Sequence, residues 1–351
     1  MFETSGETVG LGAFPHRTAV AAKGREISRL LETQPLFAGK PLELIRITHS
    51  THSALLEYKN PANGSDSPLL VKYIMISSGP RQAAEIVRHE FSALQTARRL
   101  AGADLGDSIP SPLLALPEAG LMVTKKLGGI VLSRVLQRSA NWISAPFCTS
   151  RMCEISSNVG LWLSRFHQAT QQPDIPLDAA AFEREIIEQL EGCKRKGLST
   201  AMAQEVFRIA STCSRRIEGR PLPAASRHGD FTPRNILLDG QQIRILDFEN
   251  FAKSDTAYED VGKFVAYLAL LQGRPGYSGR ALTSVTQSFL VSYGGSLDNQ
   301  LVGLFAMKAA TRMMAYRGTR RISWLFPFDY LHVRKFLRLC ASTDAGFNRL
   351  S

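Results

Sequence analysis

Two short segments in the second half of the chain carry three oxygen-bearing side chains at a spacing that suits phosphoryl transfer. Asp230 ends a His-Gly-Asp triplet, Asn235 follows five residues later, and Asp247 follows twelve residues after that. In such a reaction one carboxylate contacts the attacking hydroxyl, while an amide oxygen and a second carboxylate hold magnesium against nucleotide phosphates. The spacing therefore predicts a kinase-type catalytic loop, with Asp230 as the catalytic residue and Asn235 and Asp247 as metal ligands.

A β-hairpin is predicted to bring the two segments together. Residues 235–238 and 242–246 are apolar and β-branched runs, and Asp239-Gly240 between them supplies a turn that permits positive φ. The turn would fold Asp247 back beside Asn235. The alternative is an ordinary surface hairpin with polar ends, but both halves of the motif, in this order and at this spacing, favour the catalytic loop.

The pattern His228-Gly229-Asp230 with Asn235, followed by Ile-Leu-Asp-Phe-Glu at residues 245–249, resembles the aminoglycoside phosphotransferase family. This broad group of small-molecule kinases includes choline and homoserine kinases. It is similar to protein kinases in fold but has glycine where those have the arginine of His-Arg-Asp. The resemblance implies an α+β, two-lobed, protein-kinase-like fold that binds ATP and Mg²⁺. The N-lobe would be a small antiparallel sheet, and the C-lobe would be larger and mainly helical.

The resemblance covers roughly residues 40–300 and predicts the domain organisation. Residues 1–40 would be a partly helical N-terminal extension, residues 41–127 the nucleotide-binding N-lobe, and residues 128–351 the catalytic and acceptor-binding C-lobe. A chain of 351 residues is long for a single core and suits two lobes, and its apolar fraction of 44% is sufficient to fill both.

A lysine in an apolar strand and a glutamate on the following helix are predicted to serve the nucleotide phosphates. Lys72 carries the one charge in the apolar run of residues 69–76, and an ammonium there is costly unless it meets an anion. On the helix predicted over residues 81–100, Glu90 shares the inward stripe with Val87, which makes it the expected partner of Lys72. The alternatives are an edge-strand lysine that points to water and a glutamate at the border of the stripe.

The turn between the first two predicted strands is a candidate for covering the phosphates. It contains Ser50, Thr51 and Ser53 instead of a glycine-rich loop. The resembled family often has serine-rich loops at this place, so these three residues are candidate nucleotide ligands. A polar hairpin turn without a binding role is the alternative.

The predicted strand over residues 121–127 ends at Gly128-Gly129. In the resembled family this segment connects the lobes, and adenine pairs with its main-chain groups. The resemblance thus makes Val123 and Lys125 candidate ligands of the base through their main chain. Paired glycines alone would mark only a turn.

The segment after Asp247 argues against a protein kinase. No long activation segment fits, because residues 255–262 are already predicted to begin a helix. Glu249 replaces the glycine of the protein-kinase motif. Two roles stay open for Glu249, support of the metal through water and a structural role. In the resembled family an aspartate on this helix braces the catalytic loop, and Asp260 matches it; a simple charge near a helix N-terminus is the alternative. His228 is expected to brace the loop by hydrogen bonding.

Composition indicates a cytoplasmic protein. No run of eighteen apolar residues is present, and the N-terminus lacks a charged and then apolar leader. The five cysteines form no Cys-x-x-Cys pair and leave an odd thiol, which suits a reducing compartment. No transmembrane segment is therefore predicted, and the sequence does not indicate an oligomeric state.

The C-terminal region is strongly basic. Residues 303–351 contain nine Lys or Arg and two Asp, a net charge of +7 out of +11 for the chain. Because polycationic drugs need acidic pockets, this charge disfavours an aminoglycoside and favours a neutral or anionic acceptor, such as a sugar, a phosphorylated metabolite or a glycolipid headgroup. The alternatives are a solvated basic face and a peripheral membrane contact through the aromatic residues 324–328.

Two other classes of protein remain as alternatives to a kinase of a small-molecule hydroxyl acceptor. The pI of 9.6 is compatible with nucleic-acid binding. However, the basic region lacks a recognition module, so no specific nucleic acid is predicted. A catalytically inactive kinase fold that acts as a scaffold is the other class, and the intact Lys72, Asp230, Asn235 and Asp247 argue against it.

Overall fold

The computed structural model describes residues 15–37, 41–49, 53–59, 68–75, 80–294 and 297–316, together with residues 338, 339, 342, 343 and 345. The chain divides into two compact units. The first comprises Met1–Arg99 and Ile109–Gly128, and the second comprises Leu100–Ser108 and Gly129–Ser351. The second unit resumes at Gly129, one residue after the predicted start of the C-lobe at residue 128. Ser50, Thr51 and the aromatic segment at residues 324–328 lie outside the described residues.

The first unit is a five-stranded antiparallel sheet with helices beside it. The strand order is β1-β2-β3-β5-β4, which puts β3 in the middle of the sheet. The elements in chain order are α1 (Pro15–Glu32), β1 (Glu43–His49), β2 (Ser53–Lys59), β3 (Leu69–Ile74), α2 (Pro80–Gly106), β4 (Pro112–Leu116), a short 3-10 helix (Pro117–Ala119) and β5 (Leu121–Lys125).

Helix α1 belongs to the core of the first unit. Its Ile27 and Leu31 are buried in one apolar cluster with Leu56 and Val71 of the sheet. The hydroxyl of the fully buried Tyr58 also donates a hydrogen bond to the carbonyl oxygen of Gly24 at 2.8 Å. The helical part of the predicted N-terminal extension therefore packs as a layer of this unit, because its apolar stripe needs the sheet to leave water.

Helix α2 carries the predicted inward stripe. Val87, Leu94 and Ala97, which recur after seven and three residues, are buried, as the helical periodicity predicted. The helix extends beyond the predicted residue 100, with an interruption at Gly102, where φ is 69°. Its residues from Leu100 onward belong to the second unit.

The second unit is mainly helical and contains two three-stranded sheets, β10-β9-β6 and β11-β8-β7. Helix α4 packs on α8, α7 packs on α9, and α5 packs on both α6 and α9. The elements are β6 (Ile130–Val131), α3 (Leu132–Ser139), α4 (Ala145–Ala169), β7 (Gln172–Pro176), α5 (Ala179–Arg195), α6 (Thr200–Arg216), β8 (Pro221–Arg227), β9 (Ile236–Asp239), β10 (Gln242–Ile245), β11 (Ala252–Thr256), α7 (Tyr258–Gln272), α8 (Gly279–Tyr293) and α9 (Asn299–Ala315).

The predicted catalytic hairpin is confirmed. Strands β9 and β10 pair antiparallel from Ile236 opposite Ile245 to Asp239 opposite Gln242. The main-chain N–H of Leu246 donates to the carbonyl oxygen of Asn235 at 2.8 Å, so the pairing continues to the residue before Asp247. The hairpin thus brings the chain that leads to Asp247 back beside Asn235.

The prediction that residues 255–262 begin a helix is wrong for its first residues. Asp255 and Thr256 lie in β11, opposite Ala225 and Ala224 of β8, and helix α7 begins at Tyr258. The carboxylate of Asp255 also pairs with the guanidinium of Arg227 at 2.5 Å. Pairing with a distant strand, which no local pattern encodes, overrides the local helical preference here.

An aromatic cluster supports the catalytic segment from α4. Phe231, which follows Asp230, is fully buried and stacks on Trp162, with ring centroids 6.0 Å apart. Trp162 stacks in turn on Phe166 at 5.3 Å, and Phe166 contacts the edge of Phe248 at 6.5 Å. The residues next to Asp230 and Asp247 are therefore anchored in one core.

Among the described helices, none combines the length and the apolar composition that a membrane crossing requires. The described cysteines, Cys148, Cys153, Cys193 and Cys213, are free thiols.

Candidate active site

The first unit contains the predicted ion pair between Lys72 and Glu90. The ammonium of Lys72 donates to a carboxylate oxygen of Glu90, and the two side chains are only 19% and 5% exposed. Lys72 lies on β3, between β2 and β5, so the alternative of an edge-strand lysine is excluded. A buried carboxylate fixes the position of the ammonium, which is the arrangement that a phosphate-binding lysine needs. That this pair binds nucleotide stays a prediction.

Of the other predicted nucleotide ligands, Ser53, Val123 and Lys125 are among the described residues, and they lie on the same sheet. Ser53 begins β2 opposite Ile74, and Val123 is buried inside β5 opposite Val71. The main-chain N–H of Lys125 donates to Ser111 at 2.9 Å, so this N–H already has an acceptor. Contacts of Val123 and Lys125 with a base, and of Ser53 with phosphates, stay predictions.

Asp230 in the second unit is held through both of its carboxylate oxygens. The amide nitrogen of Asn235 donates to Oδ2 at 2.8 Å and to the main-chain oxygen of Asp230 at 3.0 Å. The ammonium of Lys263 lies 2.7 Å from Oδ1. Because the side chain of Asp230 is 35% exposed, a hydroxyl group can approach a carboxylate whose position is already fixed.

His228 braces the loop as expected, and its hydrogen bonds define its tautomer. Its Nε2 lies 2.9 Å from the carbonyl oxygen of Leu246, which can only accept, and its Nδ1 lies 3.1 Å from the main-chain nitrogen of Asp230, which can only donate. Nε2 therefore carries the proton and Nδ1 is the acceptor. A neutral His228 thus links the residue before Asp247 directly to Asp230, and neither ring nitrogen is left for proton transfer.

Asp260, which is completely buried on α7, anchors the start of the catalytic loop. Its two oxygens accept the main-chain N–H groups of His228 at 2.7 Å and of Gly229 at 2.9 Å. Burial alone would raise the pKa of this carboxyl, but the hydrogen bonds from His167 and from the His228 N–H hold the pKa of Asp260 below its ordinary value. The group is therefore ionised at neutral pH, and the brace inferred from the resemblance is present.

Gly229 is required by the path of the loop. Its φ is 82°, and a Cβ atom at this position would lie only 2.2 Å from the carbonyl oxygen of Asn250. No side chain fits such a contact with main chain. The structure thus gives a physical reason for glycine where protein kinases have arginine.

Gly229→Ala is expected to destabilise the fold by more than about 2 kcal/mol, because the new methyl group must displace main-chain atoms. Gly240→Ala is the matched control, since its φ is 62° but no atom lies within 4 Å of the place that a Cβ would occupy. The control should lose only about 1 kcal/mol, the cost of the left-handed conformation. Urea unfolding followed by circular dichroism measures both losses, and equal losses would contradict the steric argument.

Asp247 has an uncommon backbone conformation. Its φ of 63° is the one positive value of a non-glycine residue in the part of the chain that the structure describes. Aspartate tolerates this region better than most residues, and such conformations concentrate at functional sites. The exposed carboxylates of Asp247 and Glu249 lie within 4.8 Å of each other. Because the amide nitrogen of Asn235 donates to Asp230, the amide oxygen of Asn235 is left for a cation. The possible ligands, this oxygen and the carboxylates, are all oxygen atoms, which Mg²⁺ prefers.

Lys263 is the residue of this site that the sequence analysis missed. Its ammonium contacts Oδ1 of Asp230 and donates to the carbonyl oxygen of Gly229 at 2.6 Å. It lies three residues after Asp260, so both face the loop from the same side of α7. The sequence feature that could have identified Lys263 is its spacing of three residues from the bracing aspartate. This spacing is informative only after Asp260 has been assigned as that aspartate.

Lys263→Met is expected to lower kcat roughly tenfold, because a partly buried, charge-assisted contact that positions Asp230 is worth about 1.5 kcal/mol. Lys253→Met, at an exposed lysine on β11, should leave kcat unchanged. In the Asp230→Asn background, Lys263→Met should have no further effect. Additive losses in this double-mutant cycle would show that Lys263 does not act through Asp230.

Comparison with known protein families places this site in a known context. Residues 154–277, which include the whole catalytic segment, match the model of the phosphotransferase enzyme family. The resemblance recognised in the sequence and the predicted enzyme class, a phosphotransferase, are thereby confirmed. No curated protein sequence matches the chain.

Three of the solved structures with a similar fold are kinases of small molecules or members of such a kinase family. Choline kinase LicA from Streptococcus pneumoniae has 12% identity and a TM-score of 0.55, with 93% of this chain and 99% of the other covered. A choline/ethanolamine kinase family protein from Mesorhizobium loti has 15% identity and a TM-score of 0.53, with coverages of 91% and 94%. Amicoumacin kinase in complex with AMP-PNP, Ca²⁺ and Ami has 13% identity and a TM-score of 0.53, with coverages of 95% and 96%. The predicted α+β, protein-kinase-like fold is confirmed.

Proposed function

We propose that this protein transfers the γ-phosphate of ATP to a hydroxyl group of a small molecule. The observation that carries the proposal is the geometry of Asp230, a partly exposed carboxylate fixed by Asn235 and Lys263. A structural hairpin needs neither such a group nor the left-handed backbone of Asp247. The AMP-PNP complex of the similar amicoumacin kinase supports an adenine nucleotide as phosphate donor. A cytoplasmic location, where ATP is available, is part of the proposal.

In the proposed reaction Asp230 orients the acceptor hydroxyl and receives its proton. The new bond joins the acceptor oxygen to the γ-phosphorus, and the bond from that phosphorus to the β–γ bridging oxygen breaks, which releases ADP. Proton transfer is late, because a loose transition state develops little need for an alkoxide. Lys72, held by Glu90, neutralises charge on the α- and β-phosphates, and Ser50, Thr51 and Ser53 are proposed to cover them.

Asn235 and Asp247 are proposed to hold Mg²⁺, with Glu249 near enough to support the ion through water. An ion held there would reduce the negative charge of the phosphates that repels a nucleophile. The protein's own part is to orient the ligands. The hydrogen bond to Asp230 turns the amide of Asn235, and the backbone of Asp247 presents its carboxylate.

The charges near the loop support a neutral or anionic acceptor. A crevice beside Gly229 is lined by Arg227, Lys263, Lys308, Arg312 and Glu259. The first three of these cations pair with carboxylates, whereas Arg312 has no acidic partner within the described residues. Because these pairs leave no surplus of negative charge, a polycation would not find the acidic pocket that it needs here. We therefore propose a sugar, a phosphorylated metabolite or a glycolipid headgroup as acceptor.

A screen of hydroxyl compounds that follows ADP release tests the proposed function. We expect ADP release with ATP and Mg²⁺ to rise at least tenfold over the acceptor-free rate for one compound class, and mass spectrometry should show a single added phosphate. The same compound should give no product with Asp230→Asn. Magnesium-dependent nucleotide binding without transfer to any acceptor would instead favour the inactive scaffold.

A further inference from the structure

Three large apolar side chains project into solvent at the junction of α3 and α4. Trp142 is 68% exposed, Ile143 is 85% exposed and Phe147 is 87% exposed. They lie within six consecutive positions of the second unit, and we call them the 142–147 patch. A cluster of exposed large apolar side chains is uncommon on a monomeric protein and marks an interaction surface. No step of the proposed phosphoryl transfer uses these residues.

The patch is held rigidly in its exposed arrangement. The indole N–H of Trp142 donates to the carbonyl oxygen of Tyr277 at 2.7 Å, and its main-chain N–H donates to Gly276 at 3.0 Å. The side-chain oxygen of Asn141 accepts the main-chain N–H groups of Ile143 and Ser144 at 3.0 and 2.9 Å. Because the one polar group of the Trp142 side chain is already satisfied, its ring can enter an apolar medium without leaving an unpaired donor.

The surroundings of the patch are cationic. The sequence has no Asp or Glu between Glu118 and Glu154, and none between Asp260 and Asp298. These two stretches are joined at the patch, since the N–H of Ser278 donates to Ala140 at 2.8 Å. They carry exposed or half-exposed arginines. Arg134, Arg138 and Arg151 lie within eight residues of the patch in sequence. Arg274 and Arg280 each lie three residues from Tyr277, whose carbonyl oxygen accepts from Trp142.

We propose that the 142–147 patch inserts into the interface of an anionic phospholipid membrane. Such a surface offers both chemistries that the patch requires, an apolar layer for the three side chains and anionic headgroups for the arginines. Tryptophan is also favoured at the membrane interface. A second copy of this chain is a poorer occupant, because a symmetric contact would set each patch against itself and bring the arginines together.

The proposal concerns binding and not catalysis, so it is tested without nucleotide or acceptor. The full-length protein should sediment with phosphatidylcholine vesicles that contain phosphatidylglycerol, and much less with phosphatidylcholine alone. The double variant Ile143→Ser with Phe147→Ser should bind anionic vesicles more than about tenfold more weakly. Val291→Ser is the matched control, because Val291 is 77% exposed but lies near the far end of α8. This variant should bind like the wild type.

Charge variants test the headgroup contact separately. Arg138→Gln and Arg151→Gln should each weaken vesicle binding about fivefold, and added salt should reduce this difference. Arg184→Gln, at an exposed arginine on α5, should leave binding unchanged. Equal losses for all three variants would mean that net charge alone binds the vesicles, and this would overturn the proposed insertion.

Fluorescence identifies the segment that enters the membrane. The chain has three tryptophans, of which Trp162 is buried and Trp324 lies outside the described residues. We expect anionic vesicles to shift the emission to the blue in the wild type and in Trp324→Phe, but not in Trp142→Phe. A shift that Trp142→Phe keeps and Trp324→Phe loses would assign contact to the C-terminal region and refute the 142–147 patch. Failure of the wild type to bind vesicles, or a dimer that the double serine variant dissociates, would also refute it.

Discussion

Asp230→Asn is expected to lower phosphoryl transfer by about 1000-fold while nucleotide affinity stays within about twofold of the wild type. The asparagine keeps the volume of the side chain, and its oxygen can still accept from Asn235. The asparagine amide cannot take a proton from the acceptor, and it no longer offers a negative charge to the Lys263 ammonium. The loss should therefore fall on kcat, which a coupled assay of ADP release measures under saturating acceptor.

The control for this prediction is another aspartate of the same unit. Asp239→Asn removes a carboxylate at the tip of the catalytic hairpin, where it pairs with Arg244 at 2.7 Å and is 46% exposed. An exposed pair of this kind contributes little to stability, so kcat should stay near the wild-type value. If Asp230→Asn keeps a turnover comparable to that of Asp239→Asn, the role given to Asp230 is wrong.

Features set by neighbours in sequence were predicted correctly. The hairpin from Ile236 to Ile245 follows from an apolar run, a turn pair and a second apolar run, which act over a few residues. The pair of Lys72 with Glu90 was also accessible, although it joins two elements. A charge inside an apolar strand requires a partner, and the periodicity of α2 left one buried acid to provide it.

Features set by tertiary contacts were not predicted. The strand at Asp255 exists because β8 pairs with it, and nothing in residues 252–256 indicates this pairing. The contact of Lys263 with Asp230 depends on how α7 meets the catalytic loop, which Asp260 determines from inside the core. Helix α1 was recognised as helical, but its place against the sheet required the positions of Leu56 and Val71.

The neutral state of His228 shows how such contacts restrict the mechanism. A histidine two residues from a catalytic aspartate is chemically able to act as an acid or a base. Its two hydrogen bonds, to Leu246 and from Asp230, occupy both ring nitrogens within the protein. Proton transfer is thus left to Asp230, which strengthens the expectation that this single carboxylate limits kcat.

Asp247→Ala is expected to remove the magnesium dependence of nucleotide binding and to lower kcat/KM by about 1000-fold. The carboxylate is the one full negative charge in the proposed pair of ligands, and the amide oxygen of Asn235 cannot replace it. Titration of ATP with and without Mg²⁺ measures the first effect. Glu249→Ala, which removes the neighbouring exposed carboxylate, should retain the magnesium dependence and lose no more than about tenfold in kcat/KM, because Glu249 is proposed to act only through water.

Asp247→Asn separates charge from backbone conformation in this prediction. Alanine at φ 63° adds roughly 1–2 kcal/mol of strain, whereas asparagine tolerates the left-handed region. If the lost function reflects the missing charge, Asp247→Asn will be as inactive as Asp247→Ala while its stability stays near that of the wild type. If the function reflects only the shape of the turn, Asp247→Asn will remain active and magnesium-dependent, and Asp247 will have to be removed from the proposed ligands.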